Sequence, residues 1–361
     1  MAATSSAGAG VVRTGGPWAY RPSASAGGGM SALVAAARAE GRLNVIRLRS
    51  DWANYGAIMK AFTAKYGIKI TDQDPGGTSQ GEISAVRGER GARAPDVLDL
   101  SAPYAIQAEG RDLLAPYEVR SWNDIPDTLK AASASWYADY GGYVAIGYNP
   151  ARVTLAPSSF RSLLSPAYRD QVAITGNPRA PTATGALDAV WAAALANGGS
   201  LSDIKPGLKF FRYLRRDGNL VGKAGSAASV ASGRTPVLVW WDFLLAGEVR
   251  PVVPKLKIVI PPDARFENFY YQAISSRAPH PAAARLWEEF LYSAQGQNLF
   301  LRGGARPGEL AAMVRNGTVD QAALRALPAV PAAVPVQPTQ QQTSSAQDLV
   351  ARRWPHHHRH H

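Results

Sequence analysis

The sequence predicts an α/β protein built on doubly wound sheets. Three observations carry that expectation. Apolar strands alternate with helices across residues 33–110, a second alternating block spans 158–241, and a strand from Asn268 meets a long helix through a proline turn. At 361 residues the chain is long for one domain, and about two is the usual number.

Taken in order, residues 33–40 read as a short helix ended by Gly41, and residues 43–48 (LNVIRL) as an apolar strand buried on both faces. Asp51-Trp52-Ala53 opens a helix carrying Ile58, Met59, Phe62 and Tyr66, stopped by Gly67. A strand at 68–72 leads through PGGTSQ to a helix at 80–89, and a strand at 95–100 leads to a helix at 105–110. Three short-linked β–α units argue for a doubly wound parallel sheet. Residues 140–148 (YGGYVAIGY) alternate as a strand and are expected to cross between the two blocks. The second block reads as a helix at 158–164, a strand at 171–175 and a helix at 186–196 closed by Asn197-Gly198-Gly199. Helices at 204–216 and 227–232 and a strand at 236–241 complete it, and strands at 258–261 and 268–274 return the chain to the first block. Pro281 suits a first helical turn, after which Ala284, Leu286, Trp287, Phe290 and Leu291 recur on one face. Beyond Leu327 the Pro/Gln-rich PAVPAAVPVQPTQQQ reads as an extended surface segment.

Composition removes several chemistries. Cysteine is absent, and with it disulfides, thiolate nucleophiles and cysteine–zinc sites. Of six histidines, five lie in the tail PHHHRHH, leaving His280 in a capping or surface position between two prolines. A nucleophile–base pair or a histidine-ligated metal would need that one ring, so neither a catalytic residue nor a metal or cofactor is expected. The formal charge is 39 − 27 = +12, but the cations are scattered rather than gathered in a basic, aromatic stripe, so nucleic acid is not the expected partner. The run FFRYLRR at 210–216 has helical spacing and reads as a solvated helix face. No apolar run approaches the roughly 20 residues of a membrane-spanning helix. Residues 1–31, rich in Ala, Gly and Ser without an apolar core, read as a flexible leader rather than a signal peptide.

Several segments then match one family in the same order: GGTSQGEISAVRGER, APDVLDLSAPYA, LLAPYEV, FRSLLSPAYRDQVAITGNP, ASGRTPVLVWWD and the stretch from Asn268 to Pro307. Together they resemble the bacterial extracellular solute-binding proteins of ABC importers, with the type II periplasmic-binding-protein fold. The branch in question holds ferric-iron, polyamine and 2-aminoethylphosphonate receptors. The resemblance implies two doubly wound lobes joined by crossing strands. Lobe one would comprise 32–141 plus 266–326 and lobe two 142–265, with 327–361 an extended segment and His-rich tail. It further implies an exported protein at the periplasmic or extracellular face, expected to be a monomer. That protein would close over a small-molecule solute and deliver it to a membrane permease without breaking a bond. The chain has no Walker A sequence and is not the ATPase.

Ligands of open α/β sheets meet the loops at strand carboxyl ends. In lobe one that rule selects Gly76, Gly77, Thr78 and Ser79, where backbone N–H groups and a helix N-terminus favour an anion; an ordinary N-cap is the other reading. In lobe two it selects Asn177, Arg179, Thr182, Thr184 and Gly185, with Arg179 either a planar donor to the anion or a solvated loop residue. In Trp240-Trp241-Asp242, Trp241 is taken to line the cleft and Asp242 to pair a primary ammonium. Only one ring of Tyr270-Tyr271 can face the ligand, and Trp52 and Tyr104 follow lobe-one strands. Iron-binding relatives carry a tandem Tyr pair where this chain has Trp240-Trp241. Polyamine-binding relatives gather several acids where only Asp242 and Glu267 are evident here. The expected solute is therefore anionic or zwitterionic: a phosphonate, a phosphate ester or a carboxylate. A polyamine or ferric-iron receptor is the alternative within the family. An enzyme or a DNA-binding module on a similar fold is the alternative of another class.

Overall fold

The structure is a computed structural model that describes residues 17–74, 77–180, 183–330 and 337–355. The chain begins with α1 (Met30–Glu40), β1 (Arg42–Ile46), α2 (Tyr55–Tyr66), β2 (Lys69–Gln73), α3 (Ser79–Gly88), β3 (Val97–Ser101) and α4 (Ala102–Gly110). Next come β4 (Leu114–Ala115), the long β5 (Tyr137–Tyr148), β6 (Val172–Ile174), α5 (Thr184–Ala196), α6 (Lys205–Arg216), α7 (Ala227–Ser232), β7 (Val237–Trp241) and α8 (Asp242–Leu244). It ends with β8 (Lys257–Val259), β9 (Glu267–Ser275), α9 (Pro281–Leu291), α10 (Ala294–Arg302), β10 (Arg306–Pro307), α11 (Leu310–Asn316), α12 (Gln321–Ala326) and α13 (Gln340–Arg353).

Two α/β lobes share one curled sheet. β1 and β2 run parallel, and β1 reaches β3 through Asn44, whose carbonyl accepts from Asp96 N at 2.8 Å while its own N–H donates to Asp96 Oδ2 at 2.6 Å. The main sheet follows the order β3-β9-β5-β7-β6. β5 is the crossing strand: its first half pairs with β9, and from Val144 onward it pairs with β7 and β8. The expected parallel pairing holds for β1–β2 and β6–β7, whereas β3–β9, β9–β5 and β5–β7 are antiparallel. The chain enters the second lobe on β5 and returns on β9, and the two crossing strands lie side by side in opposite directions. Glycine is required at the crossing, because a Cβ on Gly142 would collide with the Asp242 carboxylate.

Packing follows the apolar faces read from sequence. Gly41 and Gly67 end α1 and α2 in the left-handed conformation, at φ 72° and 71°. Helix α9 is buried along its whole length, and Trp287 meets Phe62 of α2 edge to face at 5.3 Å.

Several expectations are corrected. Helix α2 starts at Tyr55 rather than Asp51, since Ala53 and Asn54 take positive φ (49° and 66°) and block an earlier start. Residues 158–164 contain only a 3-10 turn, Arg161–Leu164. The described part of the leader is packed: Trp18 is buried, and Arg285 donates to Ala19 O and Arg21 O at 3.1 and 3.0 Å. Residues 340–353 are helical rather than extended. Thr339 and Gln342 form a capping box, and Ala346, Val350 and Trp354 are buried at four-residue spacing, a stripe diluted by Gln and Ser in the sequence. His280 takes the capping alternative rather than the surface one: it stands at the N-cap position of α9, half-buried, with its Nδ1 2.9 Å from the buried Asp96 carboxylate.

Candidate functional site

Strand ends of one lobe and a helix start of the other converge on a cavity of about 310 Å3. Its cationic wall comes from the loop after β1. Arg47 sits in the left-handed region at φ 60° and lays its guanidinium along the start of α3. A Cβ on Gly81 would stand 2.6 Å from Arg47 Cζ, and one on Gly77 would overlap the same side chain. Gly77 and Gly81 therefore make room for an arginine, not only for a ligand. Arg47 lies 3.4 Å from Asp74, and its buried Nε has no hydrogen-bond partner. Thr78 caps α3 by accepting from Gly81 N at 3.2 Å, and Ser79 Oγ accepts from Ser101 N at 3.1 Å, which ties the helix to the end of β3. At the mouth, Arg49 pairs with Asp51 at 3.0 Å and reaches across to Glu248, in the turn after α8, at 3.3 Å.

Carboxyl groups and phenols complete the lining. Glu82 and Asp99 line the cavity and are 3 % and 8 % exposed, and Glu82 accepts from Asp99 N at 3.0 Å. Behind them the Tyr55 hydroxyl lies 2.9 Å from Asp99 Oδ2 and 2.8 Å from Asp139 Oδ2. A phenol carries one proton, so one of these two carboxyls must carry a proton of its own to complete both contacts. Burial pushes Glu82 and Asp99 well above the ordinary carboxyl range, and Asp139 up to about 6. Oδ1 of Asp99 accepts no hydrogen bond. Tyr140 stacks on Tyr270 at 5.4 Å, and Trp52 meets Tyr270 edge to face at 6.3 Å, forming an aromatic floor.

Of the residues selected from sequence, Gly77, Thr78, Ser79, Tyr104, Thr184 and Tyr270 line this cavity, as does Trp52. The others do not. Gly185 packs against Trp240 Nε1 and Thr175 Oγ1, where a Cβ would come within 3.2 and 3.3 Å. Arg179 donates from Nε to Ala351 O of α13 at 3.0 Å. Tyr271, on the opposite sheet face, accepts from Gln337 Nε2 at 2.7 Å and packs on Trp136. Trp241 is buried against Phe243 and Phe266. Asp242 faces inward: it accepts from Tyr143 N and Phe243 N at 2.9 and 3.0 Å and is ion-paired with the buried Arg306, so no ammonium is needed there. Glu267 lines a separate space of about 850 Å3 with Arg265 and Arg306. Thr182 and Gly76 lie outside the described residues. Among the described residues no group of three or more His, Cys, Asp and Glu is arranged to hold a metal ion.

Arg47, Glu82 and Asp99 escaped the sequence reading. Arg47 sat inside an expected strand, Asp99 among the alternating residues of DVLDL, and Glu82 in a helix first turn, where acids are common. The usable signal was the position of Arg47 just after β1 and of Asp99 toward the end of β3.

A family model for bacterial extracellular solute-binding proteins matches residues 92–329, well over half of the chain. Among solved structures, the fold is similar to the periplasmic binding protein AfuA from Actinobacillus pleuropneumoniae with fructose-6-phosphate bound. That match has a TM-score of 0.66 at 18% identity over 87% of this chain and 97% of the other. Iron-bound HitA from Pseudomonas aeruginosa matches with a TM-score of 0.61, 19% identity and coverages of 86% and 98%. The spermidine/putrescine substrate-binding protein PotD from Streptococcus pneumoniae matches with 0.64, 14%, 86% and 98%. With two lobes meeting over a cavity at their strand ends, the chain belongs to the bacterial extracellular solute-binding proteins of type II fold, the receptor components of ABC importers.

Proposed function

We propose that this receptor takes a small solute with an anionic group (a carboxylate, phosphonate or phosphate ester) and hydrogen-donating groups at its other end. The observation that carries the reading is the mixed lining of the cavity: Arg47, Arg49 and the N-terminus of α3 stand in it together with the buried acids Glu82 and Asp99. An anion there gains guanidinium donors and the positive end of a helix dipole, while buried acids of raised pKa both donate and accept. The cavity volume, near the low end of ligand sites, suits a small solute.

Lobe boundaries at 32–141 plus 266–326 and at 142–265 fit the partner change of β5 after Tyr143 and the start of β9 at Glu267. Hinge closure about β5 and β9 is then selected by a solute touching α3 and Arg47 in one lobe and Thr184 in the other. The chain acts as a monomeric carrier that docks on a membrane permease, with no nucleic-acid partner and no bond-breaking step. Its site of action is the periplasmic or extracellular face, as the family implies.

A thermal-shift and calorimetric screen of carboxylates, phosphonates, phosphate esters, polyamines and ferric citrate tests the reading, because a ligand of the folded state raises the melting temperature. Anionic and zwitterionic solutes should stabilise the protein. A response confined to polyamines or iron would refute it.

A further inference from the structure

Beside the main cavity lies a chamber of about 30 Å3, walled by α4, α5, β9 and the C-terminal helix α13. Tyr104, Thr184 and Tyr270 line both spaces, so the chamber adjoins the solute cavity directly. Asp188, on the second turn of α5, opens onto the chamber; it is 4 % exposed, and its Oδ2 has no hydrogen-bond partner. A buried carboxyl oxygen without a hydrogen-bond partner is rare in folded proteins; burial keeps this carboxyl neutral up to about pH 8, and an ammonium brought beside it would let it ionise and pair. No Arg, Lys or His lines the chamber, so no side chain around it supplies a counter-charge. Its volume suits one water molecule or one ammonium group. Trp191, Trp241 and Tyr270 contribute aromatic walls, which favour a cation.

The far side is closed by Thr343 and Gln347 of α13. Hydrogen bonds to both lobes hold this helix and the residues before it: Gln337 donates to Tyr271 OH at 2.7 Å, and Gln342 donates to Ser202 Oγ at 3.0 Å. Helix α13 lies beyond residue 329, where the family match ends, so this wall is an addition of this chain to the matched region.

We infer that Asp188, enclosed by α13, receives the ammonium end of the solute whose anionic end lies against Arg47. The inference rests on the function proposed above and narrows its solute class to ω-amino acids and aminoalkylphosphonates. Asp188 is then a specificity-determining residue, and the unpartnered oxygen is explained by a donor the solute brings.

Calorimetry on the full chain with two probe pairs tests this: 2-aminoethylphosphonate against ethylphosphonate, and 4-aminobutyrate against butyrate. For whichever pair binds, the wild type should prefer the amine-bearing member by about tenfold or more, the worth of a charged hydrogen bond. Asp188→Asn should bring that ratio close to one while leaving the affinity of the amine-free probe in place. Gln347→Phe, a half-buried change that fills the chamber, should do the same and serves if Asp188→Asn fails to fold. A ratio retained in either variant overturns the inference, as does a ratio lost only in Asp99→Asn. Binding without any amine preference in the wild type also overturns it, with water the resident of the chamber, and leaves the proposed function standing. If neither pair binds, the inference fails, and the proposed function fails with it when the other anionic solutes of the wider screen are silent as well.

Discussion

Arg306→Met tests what holds the two lobes together beside the crossing strand. Arg306 in β10 and Asp242 at the start of α8 form an ion pair whose side chains are 7 % and 0 % exposed. Arg306 also stacks on Tyr143 at 4.8 Å and donates to Pro328 O at 3.1 Å. Removing its charge leaves Asp242 buried with two backbone donors and no cation, and breaking one partner of such a pair costs about 3–5 kcal/mol. Burial already holds the Asp242 carboxyl above its ordinary range, with Arg306 as the main opposing influence. Without the arginine the acid takes up a proton, which limits the loss to the lower end, about 3 kcal/mol. At roughly 2–4 °C per kcal/mol for units of this size, the melting temperature should fall by about 6–12 °C. Arg306→Met/Asp242→Asn should recover at least half of that, since the amide keeps an acceptor for Tyr143 N and Phe243 N and no longer carries a charge. Scanning calorimetry of the two variants is the assay. A single variant within about 1 °C of the wild type, or a double variant no better than the single, would refute the reasoning. Asp242→Asn alone should leave discrimination for an amine-bearing solute unchanged, because the carboxylate turns away from the cavity.

Three further outcomes are expected. Arg47→Gln should weaken an anionic probe by about 10- to 100-fold, the loss of a charge-assisted contact, and calorimetry showing unchanged affinity would remove Arg47 from the site. Gly81→Ala should do likewise with little loss of stability, because its Cβ would stand 2.6 Å from Arg47 Cζ and displace the guanidinium; full affinity in that variant would show that the arginine's position is immaterial. Thermal stability should fall as pH rises from about 5 to 8.5 at fixed ionic strength. Burial raises Asp139 to about 6, Glu267 to about 7, and Asp188, Glu288 and Glu309 to about 8. In the unfolded chain these acids titrate near 4, so between about pH 4 and 8 the folded state binds more protons and loses stability as they leave. His280, raised by its hydrogen bond to Asp96, acts in the same sense: its contribution is complete below about 6.5 and is lost as pH passes through its raised folded value. A melting temperature that climbs across this window would contradict the assignment.

Local patterns carried most of the fold. The helix-ending glycines at 41 and 67, Pro281 at a first turn and the alternation of residues 140–148 each act within one element, so their consequences are readable without knowing the neighbours. Where a distant partner set the outcome, the reading went astray. Helix α13 looked like a polar tail because its buried face is only Ala346, Val350 and Trp354, which gain meaning only against residues such as Phe211, at 5.5 Å from Trp354. Asp242 looked like a ligand group because a strand-end acid beside tryptophans invites a cation, yet its cation stands 64 residues away in Arg306.

The sequence alone determined the α/β class, the order of most elements and the loops at strand carboxyl ends, since periodicity and turn residues are local properties. Tertiary structure alone decided which carboxyls are satisfied and which wait for a donor. Whether an acid is a structural partner or a recognition group depends on what burial places within 3 Å of each oxygen. Asp242 finds an arginine and two amides there, whereas Asp188 and Asp99 each keep an oxygen unmatched beside the space between the lobes.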